Sequence, residues 1–438
     1  MHIKKHLQFG ALRKLVSNRV QNISDSRMQG KINHELHDCC LSSLAMMFFQ
    51  DPSINQFQMR LQEAWHKNNL QTLFNVNTIP KETQMRKVVD SIPSTELEPI
   101  FADFFKPLQR GKQLEQFKIF NGSYFMPIDA TQYFVSQKIN CPKCLYKNHS
   151  NGKTTFYHQV LAAAIVCPGI KQVLPLAPEP IQNTDGTTKQ DCEINAGKRL
   201  LKKIRADHPK LKITIGGDSL YSKQPFTCDL QVINELKANN MSFILVAKPT
   251  DHKNLYQWFT ETRAINESHT LKIKDLNGKD HVYEWLNEIP LNDTKTADDV
   301  NFFQYCIFKG EKRTFRSGWV TDIKITSKNI KELVKCGRAR WKIENETFNT
   351  LKNQGYHATH NYGHGYKNLA YNFFLMNLLA FYMHQIFQLS CGHYQYCRTK
   401  FTAYKDFWNN LRSIIRYHLF YSWERLLDYV AEQLINSP

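Results

Sequence analysis

The residues predict a mixed α/β fold: a sheet with helices packed on it, a β-rich insertion, and helical regions at both ends. Three observations carry this. Five apolar runs of strand length fall between residues 124 and 247, and from the third onward they alternate with two helical stretches. After Lys248-Pro249 about 85 residues switch to short strands separated by Asn-Gly, Asn-Asp and Lys-Gly turns. Residues before about 120 and after 366 carry apolar side chains at helical spacing, the latter rich in aromatics.

In the first region, 1–120, His37 to Phe49 and Ile54 to Trp65 read as helices, with Asp51-Pro52-Ser53 as break and cap. Thr83 to Val89 is a further short helix closed by Ile92-Pro93. A basic helical region of this kind suits DNA recognition or plain packing, and no helix-turn-helix signature decides between them. The second region, 121–248, holds the strands: SYFMPIDATQYFVS, an apolar run ending in Asp129 and followed by Thr131 and Tyr133 alternating outward, then His158 to Val166, Val173 to Leu176, Leu211 to Gly217 and Met241 to Ala247. Gln190 to Ala206 is a basic amphipathic helix capped near Thr187 or Thr188 and ended by His208-Pro209; Leu230 to Ala238 is another. The insertion, 249–328, carries strands over His269 to Trp285, Phe302 to Phe308 and Thr314 to Thr326. Residues 329–390 return to the core, and 391–438 form a helical C-terminal region.

The stretch Gly337 to Gly365 reads as a helix from its basic start to Lys352, breaking at Gly355. Arg340 and Glu344 are four residues apart and face one way. Trp341, Phe348 and Leu351 make the apolar stripe. Glu344 then lies about 60° from Trp341, toward the protein body, and Glu346 points to solvent.

Composition narrows the partners. Of 438 residues, 57 are Lys or Arg and 39 are Asp or Glu, a formal charge of +18. A surface of that charge attracts polyanions, nucleic acid first and an anionic membrane second. Met1 to Arg13 lacks the apolar core of a signal peptide. Ala370 to Phe387 is near the minimum for a membrane span but contains Asn372, Asn377 and His384, so a buried helix is expected. Eleven scattered cysteines point to reduced thiols in the cytosol and not to a disulfide framework. Nothing resembles a phosphate-binding Walker loop or a dinucleotide fingerprint, so ATP use is not indicated.

Asp129 and Asp218 each follow an apolar strand run, and Glu344 faces the same body. Acids at strand ends of an open α/β sheet lie where ligands bind. Three convergent carboxylates are hard ligands able to hold one or two Mg²⁺ or Mn²⁺ ions. Two such ions about 4 Å apart can activate a water or a 3′-hydroxyl and stabilise the leaving oxygen of a phosphodiester.

The blocks YFMPIDATQYF, TIGGDSLYSKQPF and GRARWKIENETFNTLKNQGYHATHNYGHG resemble the DDE transposases of bacterial insertion sequences, in particular those with an RNase H-like catalytic domain and a β-strand insertion before the final acid. The likeness runs from about residue 35 to 390. It implies an RNase H-like mixed sheet, with Asp129, Asp218 and Glu344 as catalytic metal-binding triad and two-ion Mg²⁺ (or Mn²⁺) chemistry. In such enzymes a phosphodiester is hydrolysed at each element end and the freed 3′-hydroxyl attacks target DNA. Arg340 and Glu344 fall on the Arg and Glu of the Tyr/Arg/Glu/Lys signature helix. Gly337 stands at the Tyr position, and the Lys comes one residue late, at Lys352, with Leu351 in the expected place. Arg338, Arg340 and Lys352 would contact DNA phosphates. The resemblance further implies terminal inverted repeats and target DNA as partners, a homodimer on DNA, a bacterial cytoplasmic, nucleoid-associated location, and an insertion aromatic that captures a flipped base. Trp285 and Trp319 are the candidates for that aromatic, against a simpler role in the core.

Other signals are weaker. Cys141-Pro-Lys-Cys144 is a knuckle of the zinc-binding kind, followed by His149 and His158. No second CxxC or close His pair completes four ligands, which weighs against structural Zn²⁺ there. Cys391, His393 and Cys397 could complete it only from afar. Asp191 and Glu193 fit a helix's first turn, with a place near the metals as the alternative for one of them. His357, His360 and His364 read as loop or phosphate-contacting residues, with a metal ligand among them as the weaker alternative. Three alternatives to a transposase stay open: an inactive or repurposed DNA-binding relative, a metal-dependent nuclease without strand transfer, and a zinc-stabilised nucleic-acid-binding protein.

Overall fold

The N-terminal region of the computed structural model is helical: α1 Phe9–Gln21, α2 Leu36–Phe48, α3 Ile54–Gln62, α4 Asn69–Phe74, α5 Glu82–Ser91 and α6 Pro99–Arg110. The structure describes residues 4–28, 30, 32–62, 68–183, 190–223, 232–292 and 299–435, and every structural statement concerns these. Ser53 caps α3 through its hydroxyl, which accepts from the Gln56 N–H. All thirteen residues of α2 are buried, its polar Asp38 included, whose carboxylate accepts the Asn77 and Thr78 N–H groups.

The sheet strands are β1 Tyr124–Ser136, β2 Leu145–Asn148, β3 Thr154–Cys167, β4 Ile170–Pro175, β5 Glu179–Ile181, β6 Ile213–Gly217, β7 Ser242–Val246, β8 His269–Lys274, β9 Lys279–Pro290, β10 Asp299–Lys309 and β11 Lys312–Thr321. Between them lie α7 Glu193–Asp207, α8 Ser219–Ser222, α9 Val232–Ala238 and α10 Lys253–Ala264. The result is a mixed sheet flanked by helices. Its path is β2-β3-β1-β6-β7-β11-β10-β9-β8, with β4 and β5 also paired to β3. β1, β3 and β4 run antiparallel, whereas β1, β6 and β7 are parallel.

The strands after Pro249 continue this same sheet. Trp319 pairs with Val246 and Thr321 with Ile244, so β11 covers the edge that β7 would otherwise leave open. The expected His269–Trp285 strand is two strands, split by a turn at Asn277-Gly278 with Gly278 at φ +74°. β2, β5 and α10 have no counterpart in the sequence reading: β2 and β5 are too short to show alternation, and α10 sits in a stretch read as strand-rich. The expected caps Thr187 and Thr188, and Leu230 at the start of an expected helix, lie outside the described residues.

After β11 come α11 Ile330–Ala339, a π-helical turn Ile343–Phe348, α12 Asn349–Asn353, α13 Leu369–Ser390, α14 Gly392–Thr399, α15 Tyr404–Tyr417 and α16 Trp423–Ile435. α13 contains the membrane-length run, yet among the described residues no helix is long and apolar enough to cross a membrane. Its three interrupting polar residues each find a partner inside the protein, while Asn372 Oδ1, Asn377 Oδ1 and His384 Nε2 remain without one among the described residues. Asn372 donates to the Val89 and Ile92 carbonyls, Asn377 to the Tyr356 carbonyl, and His384 bonds the Tyr356 hydroxyl. Phe48, His384, Trp408 and Trp423 interlock there, joining α2, α13, α15 and α16 into one aromatic core.

Candidate active site

Strand register sets the first two acids. β1 and β6 pair in parallel from Tyr124↔Ile213 to Pro127↔Gly216, and two further steps bring Asp129 level with Asp218. β6 ends at Gly217, so Asp218 leaves the sheet and caps α8 by accepting the Leu220 N–H at 2.9 Å. Asp129 behaves differently from the sequence expectation. β1 does not end there but runs on to Ser136 along β3, with the register shifting between Gln132 and Phe134; Thr131 and Tyr133, expected to face outward, are both buried, Tyr133 because it stacks between His158 and Phe374.

Arg340 joins Asp129 to Glu344. Its guanidinium lies 3.2 Å from the Asp129 carboxylate and 2.6 Å from that of Glu344. The Asp129 carboxyl is raised to about 7, because burial disfavours its charge, while Arg340 and the Ala130 N–H pull the other way and Glu344 adds to the rise. Glu193 opens α7 and accepts a 2.5 Å hydrogen bond from the Tyr221 hydroxyl. Its carboxyl is raised by burial and, after the opposing Tyr221 bond, by the charge of Asp218. Asp191, by contrast, pairs with Arg199. Glu193 and Tyr221 thus stand beside the aspartates. Glu193 was weighed from sequence; Tyr221 lies within the second quoted block but carries no signal of its own. Among the described residues, Asp129, Asp218 and Glu344 do not have all their ligand atoms within 4.8 Å of one another.

The segment carrying Glu344 is not the regular helix its spacing predicts. Between α11 and α12 the π turn inserts extra residue length per turn, and the inward phase slides. Ile343, Thr347, Phe348 and Leu351 are buried, and Ile343 and Phe348 pack on Ala162 of β3. Trp341, expected in the apolar stripe, is 43% exposed, whereas Lys342 is buried with its ammonium on the Ile170 carbonyl at 2.5 Å. Glu346, expected to face solvent, is only half-exposed, and the Glu344 side chain keeps 47% exposure while reaching Arg340.

Gly337, at the signature Tyr position, faces the indole of Trp319: a Cβ there would stand 2.6 Å from its Nε1. That contact leaves no room for any side chain. Trp319 itself is buried and stacked on Phe303, and Trp285 is buried and stacked on His269. Both are core residues. Arg338 is exposed and lies over the rings of Phe315 and Tyr305 on the β10–β11 hairpin. Lys352 is half-buried, and burial lowers its ammonium. Gly355, where the helix was expected to break, takes φ +103°.

A second cluster forms elsewhere. The ligand atoms of Cys141, Cys144, His158 and His364 all lie within 4.8 Å of one another, the one group of its kind among the described residues. His364 is brought in by the loop after α12. Hydrogen bonding with Cys144 lowers the Cys141 thiol against the opposing effect of burial, with His158 and His364 adding to the fall, and the same Cys141 contact raises Cys144. His149 instead bonds Thr155, and Cys391, His393 and Cys397 are engaged around α14 and α16.

No protein-family profile and no curated protein matches this chain. Among solved structures it is similar to the piggyBac transposase in a cryo-EM structure of the synaptic complex with hairpin DNA, at 11% sequence identity and a TM-score of 0.39, covering 98% of this chain and 84% of that one.

Proposed function

We propose that the chain is a DDE-type DNA transposase that hydrolyses phosphodiesters at the ends of its element and joins the freed 3′ ends to target DNA. The observation that carries the reading is the level placement of Asp129 and Asp218 on parallel neighbours, with Arg340 reaching from Asp129 to Glu344. The strand order β4-β3-β1-β6-β7, antiparallel through its first three members and parallel after, agrees with the RNase H-like core that the sequence blocks imply. On this reading residues 121–248 and 329–390 form the core, 249–328 the insertion, 1–120 a DNA-binding or packing region and 391–438 a helical C-terminal region. A formal charge of +18 suits a DNA partner.

The donor set fits hard divalent cations. Asp129 is a half-buried carboxyl whose charge is disfavoured there, and Arg340 already supplies a cation where two acids meet. Asp129, Asp218 and Glu344 would hold Mg²⁺ or Mn²⁺, which supplies Lewis-acid charge for activating water or a 3′-hydroxyl and for stabilising the leaving oxygen. Arg340 holds Glu344 and Asp129 in mutual reach and can turn its guanidinium to a DNA phosphate. Arg338 and Lys352 add phosphate contacts along the same segment, fixing register without reading bases. Glu193, held by the Tyr221 hydroxyl, adds a fourth carboxylate close enough to Asp218 to feel its charge. The protein would act as a homodimer on DNA.

The test is an incubation of wild-type protein with Mg²⁺ and duplex DNA carrying the inverted repeats that flank its gene, alongside Asp218→Asn and Glu344→Gln. End nicking and strand joining that vanish in both variants support the reading. Cleavage without joining would make the protein a nuclease, and full activity in the variants would remove the triad. The zinc-stabilised DNA-binding alternative draws on the Cys/His cluster; it predicts DNA binding with no cleavage under any metal.

A further inference from the structure

The Cys/His cluster has the dimensions of a specific metal centre. A zinc ion takes thiolate sulfur at about 2.3 Å and imidazole nitrogen at about 2.0–2.1 Å. A regular tetrahedron with those radii has edges of about 3.8 Å between sulfurs, about 3.6 Å between sulfur and nitrogen, and about 3.3 Å between nitrogens. The Cys141 and Cys144 sulfurs are 3.8 Å apart. His158 Nε2 is 3.6 Å from Cys141 Sγ and 3.5 Å from Cys144 Sγ, and His364 Nε2 is 3.5 Å from Cys144 Sγ. The two Nε2 atoms are 3.0 Å apart. Four edges agree with the tetrahedron to about 0.1 Å and the fifth to about 0.3 Å.

The surroundings suit the ion as well. His364 Nδ1 is 2.9 Å from the Gly365 carbonyl, which as acceptor fixes the proton on Nδ1 and leaves Nε2 free to ligate. Tyr133 stacks on His158, and Phe134 packs against both imidazoles, giving the site an apolar wall. On the other side Cys141, His158 and His364 line a cleft of about 250 Å³ that provides an entry path.

We infer that Cys141, Cys144, His158 and His364 bind one Zn²⁺ as a closed Cys₂His₂ centre that clasps the loop after the Glu344 segment to the sheet. Four protein ligands leave no position for a reacting water, so the ion is structural. What it ties together gives its purpose. The knuckle follows β1, which carries Asp129; His158 lies on β3, next to β1; His364 arrives from 206 residues further on. The loop is held in parallel by Asp90 of α5, whose carboxylate accepts the N–H groups of Tyr366, Lys367, Asn368 and Leu369. Lys143, inside the knuckle, donates to Asn368. The clasp therefore fixes the chain that follows Glu344 relative to the strand that carries Asp129. Zinc binding itself does not depend on the proposed transposase activity.

Full-length protein produced with zinc in the medium and purified without chelator should contain one zinc per chain by mass-spectrometric metal analysis. Cys144→Ser and His364→Asn should each lower that content at least about tenfold, whereas His149→Asn, which alters the neighbouring histidine, should not change it. Because the variants could fail to fold, wild-type protein exchanged with Co²⁺ gives an independent reading. The intense visible bands of tetrahedral cobalt together with thiolate-to-cobalt charge transfer are expected. Folded wild-type protein without zinc, a Cys141–Cys144 disulfide in place of metal, an octahedral cobalt spectrum, or full zinc in folded His364→Asn would each overturn the proposal. None of these readouts involves DNA, so their failure is separable from failure of the transposase reading.

Discussion

The two acid- and thiol-bearing clusters differ in how finished they are. At the Cys/His cluster four ligand atoms from three separate segments already stand near the corners of a tetrahedron. At the carboxylates, two aspartates are aligned by register while Glu344 stays about half-exposed, linked to Asp129 only through Arg340. The physical reason lies in the donors. Thiols and imidazoles can lie within hydrogen-bonding distance of one another without each carrying a charge, as the Cys141, Cys144, His158 and His364 contacts show. Three carboxylates repel, and the fold brings two of them close only by burying Asp129 at the expense of its charge and lending it Arg340. A site of the first kind is built for permanence. On the function proposed above, the second would be completed by an exchangeable cation and a polyanionic substrate.

The predictions probe that contrast. The largest effect is expected at Asp218, whose carboxylate is accessible beside a strand end. Asp218→Asn should reduce DNA cleavage by at least about 100-fold, measured as single-turnover rates, while the zinc content stays at one per chain. Next, a strong chelator applied to the purified protein should lower its melting temperature by on the order of 5 °C, and Zn²⁺ but not Mg²⁺ should restore it. No change on chelation would remove the clasp from the stability of the fold.

A third prediction concerns Gly337. Gly337→Ala places a methyl against the Trp319 indole and should cost about 1–3 kcal/mol in denaturant unfolding, with Gly337→Tyr failing to fold at all. The smallest effect has the opposite sign. Because the folded Asp129 carboxyl titrates near 7, above its ordinary value, its ionisation opposes folding. The penalty is absent below the unfolded value, grows as pH rises, and is complete above about 7. Asp129→Asn should therefore gain about 1 kcal/mol at pH 8 without divalent cations, gain nothing at pH 4, and lose activity at both. A variant destabilised at pH 8 would show that Asp129 serves the fold through Arg340 and is not held at a cost for function.

How far the sequence disclosed these sites follows from the range of the interactions involved. The apolar runs of β1, β3, β6 and β7 and the burial of α13 were readable because strand and helix burial are local and periodic. Asp218 at the end of β6 was legible for the same reason. The sliding of phase between Trp341 and Phe348 was not, since a π turn is imposed by docking Ile343 and Phe348 on Ala162 and leaves no mark in residue spacing. The knuckle at Cys141 and Cys144 was visible, but its completion was hidden. His364 was one of three histidines in a loop, and only the path of the chain around α5 and into α13 separates it from His357 and His360. Gly337 read as a departure from the signature until the Trp319 indole supplied the reason for it.

The central claim is that one centre holds a permanent soft-ligand ion and the other an exchangeable hard one. Mn²⁺ titration of zinc-loaded protein, followed by electron paramagnetic resonance, tests it directly. Wild-type protein should bind Mn²⁺ reversibly in competition with Mg²⁺, Asp129→Asn and Asp218→Asn should lose that binding, and all three should keep one zinc per chain. Mn²⁺ binding that survives in both variants, or that displaces the zinc, would contradict the account.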